Sequence, residues 1–460
     1  TVGRRMKTLA KGFVGRQWLA DRTLHDVNTE KTSSQSSSSS SSTSSPALNS
    51  FVIIYGPAGS GKSAFTCRLQ DSEWCNRQSG SSWQHLNQRI LARHFCVHDQ
   101  HDSLNPTKFV QSLAGQIYLT MTELGKESEA LAVLNLTDRK AFVAWLQNET
   151  HETILNNWIL PVLHKSDTAE SFGGKDLILI DSFDEALLLN KGIGVTVVSL
   201  LIQYKDSWPS WIRFVATSRP DEITRRKLHP LQGAKIELQD QNNLTDVRNF
   251  VLMKAERGFR FSTIRTQRDH GGSLLNLKFS QVLQCRELRV LLDARTTDLL
   301  CRYPWCKSWR LWQPGTVDII CTAVNGLFQY AKEIVKDLEE DPSLDLTHLP
   351  PNMFDYYMER YPKTFPNDID YVEFGKHSAV IMSMMVASCG PVPRQMLLTA
   401  NLPQEAGAAV RRERHLNLFV ERMCDSSQVE VGLFEFPHKS FSDWLLSLKN
   451  KNQYVTKEEG

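Results

Sequence analysis

The sequence predicts an α/β protein built on a doubly wound parallel sheet, and three observations carry that expectation. Between residues 50 and 240, β-branched apolar runs alternate with helix-periodic segments. One run, Phe51–Tyr55, empties into Gly56-Pro-Ala-Gly-Ser-Gly-Lys-Ser63, a glycine-rich loop that leads into a helix. Another, Leu177-Ile-Leu-Ile180, ends in the acid Asp181, at the carboxyl edge where ligands sit in such sheets.

Taken in order, Phe13-Val-Gly-Arg-Gln-Trp-Leu19 reads as a short turn entering a helix. The stretch Thr32 to Ser45 is almost pure serine, cannot bury anything, and reads as a flexible linker. Strands are expected at Phe51–Tyr55, Ile90–Val97, Asp176–Ile180 and Ile212–Ala216, with helices at Pro106–Leu119 and Phe142–Leu163. Because Ile90–Val97 falls between the loop strand and the acid strand, it is expected to separate them in the sheet. That layout belongs to the P-loop proteins that activate water. From about Leu244 helices follow without strands. The segment Gly272 to Pro314 has poor periodicity, clustered tryptophans, and Cys301 and Cys306. Those two could form half of a metal site, but neither Cys285 nor Cys321 completes usable spacing, so the segment reads as an insertion. The helical pattern resumes after Val317, and Ser378 to Leu446 reads as a compact mixed unit.

At 460 residues two to four domains are expected. Hydrophobic content of 41% and charged content of 23% are ordinary for a globular chain. A net charge of +2 argues against a dominant polyanion-binding surface, and with it against nucleic acid as a partner. No run approaches the length of a membrane span, and the N-terminus lacks a signal-peptide core. Nine scattered cysteines without a paired framework fit a reducing, cytoplasmic setting. The chain opens on Thr1 rather than methionine and reads as a piece of something longer.

The loop carries chemistry of its own. Gly56, Gly59 and Gly61 allow a tight backbone whose N–H groups, with those of Ala58, Ser60 and Lys62 to Ala64, surround an anion, Pro57 lining the same loop without an N–H to give. Lys62 reaches the β- and γ-phosphates, and the Ser63 hydroxyl is a Mg²⁺ ligand. Asp181 supplies the other half of the metal site. Glu185, with Asp184 beside it, is placed to accept a hydrogen bond from an attacking water; the same pair would also cap a helix over Ala186–Leu189, and the two roles are compatible. Thr217-Ser-Arg219-Pro follows the fourth strand, where Arg219 is either a γ-phosphate sensor or a surface arginine at a strand end.

In this order the motifs Gly56–Ser63, Asp181-Ser-Phe-Asp-Glu185 and Thr217-Ser-Arg-Pro220 resemble the STAND class of regulatory NTPases, specifically its NACHT branch. Val14-Gly15-Arg16 resembles the adenine-side turn of that family, Asn325-Gly326-Leu-Phe-Gln-Tyr-Ala331 its helical-domain turn, and Phe434-Glu-Phe-Pro-His438 to Leu445 the end of its winged-helix domain. The segments around His94, Asn105 to Ile117 and Tyr454 to Gly460 are similar to the branch that continues into ankyrin repeats. The resemblance implies a P-loop NTPase core over 50–240 after an N-terminal segment (1–31) and the serine linker (32–49). A helical domain (241–350, with the insertion 272–314), a winged-helix-like domain (351–450) and the start of a linker (451–460) would follow.

It further implies ATP/ADP with Mg²⁺ as cofactors, base-side contacts from Gly15 and Arg16, and a diphosphate contact from His438. The implied function is a slow NTPase used as a conformational switch, with nucleotide-dependent homo-oligomerisation and protein partners bound through repeats beyond Gly460. Two departures stand out: Ser182 where the family usually has glycine, and Phe328 where many relatives place a base-contacting proline. Two other readings remain open at this stage, a DNA-associated AAA+ ATPase and a scaffold that holds nucleotide without turnover. Against the first, Arg411-Arg-Glu-Arg414 is the only basic cluster in the last unit.

Overall fold

The computed structural model describes residues 15–32, 51–97, 100–166, 168–187, 194–231, 233–238, 241–254, 315–341 and 344–363, with short pieces at 392–393, 420–422, 433–435, 441 and 443–444. Val14, the serine run from residue 33 on, the 272–314 insertion with Cys301 and Cys306, and His438 lie outside the described residues. The chain groups into two compact units. One comprises residues 1–58, 62–238 and 360–460; the other comprises 59–61 and 239–359.

The first unit is organised by five parallel strands. They are β1 (Phe51–Tyr55), β2 (Ile90–Phe95), β3 (Leu177–Asp181), β4 (Arg213–Ser218) and β5 (Ala234–Glu237), in the order β2-β3-β4-β1-β5. β1, β3 and β4 are buried at every position, as strands covered on both faces must be. Their side chains alternate between two cores. Phe51, Ile53, Ile178, Ile180, Phe214 and Ala216 join one apolar cluster. Val52, Ile54, Leu177, Leu179 and Val215 join the other.

Helices cover each face. α1 (Gln17–Thr32) and α2 (Lys62–Leu69) contribute Leu19, Ala20, Phe65 and Leu69 to the second cluster. α3 (Pro106–Glu123) lays Phe109, Val110, Leu113, Ala114, Ile117 and Met121 on the first, the spacing of a core-facing helical stripe. Its start is set locally: Pro106 occupies the first turn, and the Asn105 side chain accepts from the N–H groups of Thr107 and Lys108.

The strand order corrects one expectation. A strand does separate β1 from β3, but it is β4, whereas Ile90–Phe95 pairs only with β3 at the sheet edge. The burial of β2 explains this, since Arg93 is exposed on a strand that a central position would bury throughout. β5 is a strand the sequence reading did not anticipate; only Ile236 of its four residues is buried. Gly233 lets the chain enter it, because a Cβ there would sit 1.9 Å from the Phe51 carbonyl oxygen.

The segment read as one helix over 142–163 is broken. α4 (Arg139–Asn148) ends, the Thr150 hydroxyl caps a new start at Thr153 N, and Leu155–Ile159 forms a π turn. Pro161, with no N–H to return to residue 157, accounts for the wide turn just before it. At the far end of the sheet from the loop, Arg89 grips Asp176 with two bonds of 2.8 and 2.7 Å. Short elements complete the unit, among them α5 (Val197–Gln203), α6 (Glu222–Leu228) and an antiparallel trio ordered β6 (Val392–Pro393), β8 (Leu433–Glu435), β7 (Val420–Arg422).

The second unit packs α7 (241–254), α8 (Thr316–Val324), α9 (Phe328–Glu340) and α10 (Met353–Lys363) around Val251, Ile320, Val324, Tyr330, Ile334 and Leu338. Between α8 and α9 the backbone turns left-handed at Asn325 and Gly326. The Asn243 amide donates to the Gly326 carbonyl at 2.9 Å, and a Cβ on Gly326 would lie 2.3 Å from that amide nitrogen. Phe328 begins α9 and sets its ring edge-on to Phe250. No described helix is long and apolar enough to cross a membrane.

Candidate functional site

At the carboxyl edge of the sheet, β1, β3 and β4 deliver the chemistry-bearing residues. Gly59 (φ +80°) and Gly61 (φ +89°) adopt the left-handed backbone that the glycine-rich loop demands. The loop is tied to the sheet at Gly56, whose N–H donates to the Ser218 carbonyl at 3.1 Å. Lys62 opens α2 and is buried. Its ammonium folds back on the loop, donating to the Gly56 carbonyl and, at 3.0 Å, to that of Pro57. Burial drags the Lys62 pKa down to about 8, against the upward pull of Asp184. A cation held short of its normal solvation by two carbonyls is a donor for which an anion can compete.

Asp181 ends β3 under a ceiling of hydroxyls. Its Oδ1 accepts from Thr217 at 2.6 Å and from Thr66 at 2.9 Å, and its Oδ2 accepts from Ser182 at 3.2 Å. The Ser63 hydroxyl lies 3.4 Å from that of Ser182. The donor set is all oxygen, a carboxylate and hydroxyls, which suits a hard divalent cation such as Mg²⁺ and not a thiol- or imidazole-seeking metal. No cluster of three or more His, Cys, Asp or Glu is arranged for a metal among the described residues. Thr66 escaped the sequence reading, and Thr217 entered it only as part of the motif after the fourth strand, with no bond to Asp181 expected. The signal for Thr66 was its spacing of four from Lys62, one helical turn into α2.

Arg219 is the most heavily engaged charge in the site. Its Nε is 3.2 Å from Asp184, its second terminal nitrogen 3.8 Å from Glu185, and its first 2.8 Å from Asp443. Its own N–H also donates to Asp184 at 3.2 Å. Burial alone would lower its pKa, yet the surrounding carboxylates, led by Asp443, outweigh that and raise it. Arg219, itself only partly buried, thus forms one cluster with the buried acids Asp184 and Glu185. The helix expected over Ala186–Leu189 is only a single 3₁₀ turn, Glu185–Leu187, within the described residues.

The turn ahead of α1 is built as a turn. Gly15 and Arg16 both have positive φ, and Arg16 is fully buried with its guanidinium 5.9 Å from the Trp18 ring centre. The Arg16 carbonyl accepts the first bonds of α1, from Leu19 and Ala20. Gly15 and Arg16 therefore have a structural task at the start of α1, whatever contact they make with a ligand.

The family model described as Nephrocystin 3, N-terminal matches residues 28–219. That span runs from the end of α1 to Arg219 and so includes the glycine-rich loop, Asp181–Glu185 and Thr217. No curated protein matches the chain. Among solved structures, the ORC2 protein of Aeropyrum pernix, described as ADPNP-ADP complexes, is similar at 11% identity. The similarity covers 94% of this chain and 92% of that one with a TM-score of 0.29, a superposition too loose to equate their parts. The loop geometry and strand order together are those of a P-loop α/β domain.

Proposed function

We propose that this chain is an ATP/ADP-operated switch of the STAND type with slow NTP hydrolysis. The observation that carries the reading is the position of Arg219. The residue best placed to sense a γ-phosphate is engaged instead with the site acids Asp184 and Glu185 and with Asp443, more than two hundred residues further along. A site built only for turnover has no use for such a tether, whereas a switch needs one group that two alternatives compete for.

When bound, Mg²⁺-nucleotide supplies the phosphoanhydride to be cleaved and the charge that the site must balance. Lys62 and the loop N–H groups would hold the phosphates, Ser63 and Asp181 the cation. Asp181 is fixed for this by Thr66 and Thr217, which occupy one carboxylate oxygen and leave the other facing Ser182. Glu185 would take up the proton of the attacking water. Arg219, once drawn to the extra negative charge of a triphosphate, would leave Asp443, so the C-terminal segment responds to which nucleotide is present. The winged-helix role of residues 351–450, the diphosphate contact of His438, base contacts from Gly15 and Arg16, self-association, repeats beyond Gly460 and a cytoplasmic location belong to the same proposal.

Calorimetry with ADP and a non-hydrolysable triphosphate, alongside a phosphate-release assay, tests it. Lys62→Ala is expected to abolish nucleotide binding; Glu185→Gln is expected to retain it and to lose turnover. Undiminished nucleotide affinity in Lys62→Ala would overturn the assignment.

A further inference from the structure

Ser182 stands in the turn after β3 with φ +55°, in the left-handed region that favours glycine. Its backbone is fixed without help from its side chain. The Ser182 N–H donates to the Thr217 hydroxyl at 2.9 Å, the Phe183 N–H to the Thr217 carbonyl at 2.8 Å, and the Glu185 N–H to the Ser182 carbonyl at 2.9 Å. Glycine would satisfy this turn with no strain, so the turn itself does not call for a serine. A strained position whose geometry the surroundings already enforce points to use of the side chain.

The hydroxyl sits between the two groups that would hold a cation, 3.2 Å from Asp181 Oδ2 and 3.4 Å from Ser63 Oγ. The direction of the hydrogen bonds follows from the chemistry of the partners. A carboxylate oxygen only accepts, so the Ser182 O–H donates to Asp181. The Ser182 oxygen is then left to accept, and the partner within reach is the Ser63 O–H. That arrangement turns the Ser63 proton away from the loop and leaves its lone pairs for a metal ion.

We propose that Ser182 is a positioning residue of the divalent-cation site, orienting the Ser63 hydroxyl and coupling it to the Asp181 carboxylate. The inference rests on the nucleotide-binding reading above. It sets this chain apart from a site with glycine at that place, where the Ser63 hydroxyl would be free to rotate.

The test uses the 460-residue chain with ADP and Mn²⁺, the bound metal being read by electron paramagnetic resonance and ADP affinity measured with Mn²⁺ and with chelator. Ser182→Gly and Ser182→Ala are both expected to weaken Mn²⁺ binding about tenfold while leaving ADP affinity in chelator unchanged. A tenfold loss in both variants cannot come from backbone strain, because glycine relieves that strain and alanine keeps it. Mn²⁺ affinity within twofold of wild type in either variant overturns the inference alone. Failure of the wild-type chain to bind ADP removes the proposed function, and this inference with it.

Discussion

The depressed pKa of Lys62 makes nucleotide binding a proton-linked reaction. In the free protein Lys62 titrates at about 8, because burial behind the Gly56 and Pro57 carbonyls penalises the ammonium. Phosphates beside it would favour the charged form and return its pKa to at least the ordinary lysine value near 10.4. The sign follows: free protein loses this proton as pH rises through 8, bound protein keeps it, so binding takes up a proton and weakens with rising pH. The free protein is about three-quarters protonated at pH 7.5 and about one-tenth at pH 9, so affinity should fall roughly eightfold, or about 1.3 kcal/mol. Calorimetry at pH 8 in buffers of different ionisation enthalpy should read an uptake of about half a proton, rising towards one at pH 9. Working above pH 7.5 keeps the titration of the nucleotide itself out of the signal. In Lys62→Arg, whose guanidinium stays charged throughout, any residual binding should lose the slope. An uptake below about 0.1 proton at pH 8.5 in the wild-type chain would refute the reasoning, since the linkage relation requires about three-quarters of one there.

Other outcomes follow from the same geometry. Asp443→Asn removes one of three carboxylates holding Arg219 and should quicken exchange of ADP for triphosphate about fivefold, the equivalent of about 1 kcal/mol for a partly exposed pair; unchanged exchange measured with a fluorescent ADP would count against the tether. Thr217→Val strips a hydroxyl that donates to Asp181 and accepts from the Ser182 N–H, and should cost about 2–3 kcal/mol in urea unfolding, with Thr217→Ser recovering most of it. Arg89→Ala leaves Asp176 buried without its bidentate partner, for an expected loss of about 3–5 kcal/mol; a loss under about 1 kcal/mol would mean that Asp176 is resolvated.

What the sequence made legible was what is encoded over a few consecutive residues. Phe51–Tyr55 appears with the bounds read from its apolar run, and Asp181 and Arg219 stand at strand ends as expected. Both give strong local signals, a fully buried run followed by a polar residue. β5 escaped because a four-residue edge strand with one buried side chain has almost no pattern. Strand order was misjudged because adjacency in a sheet depends on crossovers, not on order along the chain. The break at Glu149–Thr150 and the π turn at Leu155–Ile159 lie inside a continuous apolar period, where Thr150 and Pro161 decide against it. The hydroxyls around Asp181 come from residues 66, 182 and 217, and Asp443 reaches Arg219 across a long separation. Such encounters exist only once the chain is folded.

β4 holds a place in this arrangement that side-chain chemistry alone does not reveal. Its last two carbonyls are spoken for on opposite sides: Ser218 receives the N–H of Gly56 at the mouth of the phosphate loop, and Thr217 receives the N–H of Phe183 in the acid turn. Through the main chain, phosphate loop and acid turn are thereby fastened to one short rod, in addition to the side-chain bonds that join them. A shift of that rod by a fraction of an ångström would carry both halves along in register, while a shift of either half alone would have to break a main-chain bond. Short of a proline at 56 or 183, no substitution of a side chain deletes those two bonds. The spacing between the group that grips phosphate and the group that holds metal is thus written into the backbone, and point mutations can retune either half of the site more readily than they can pull the halves apart.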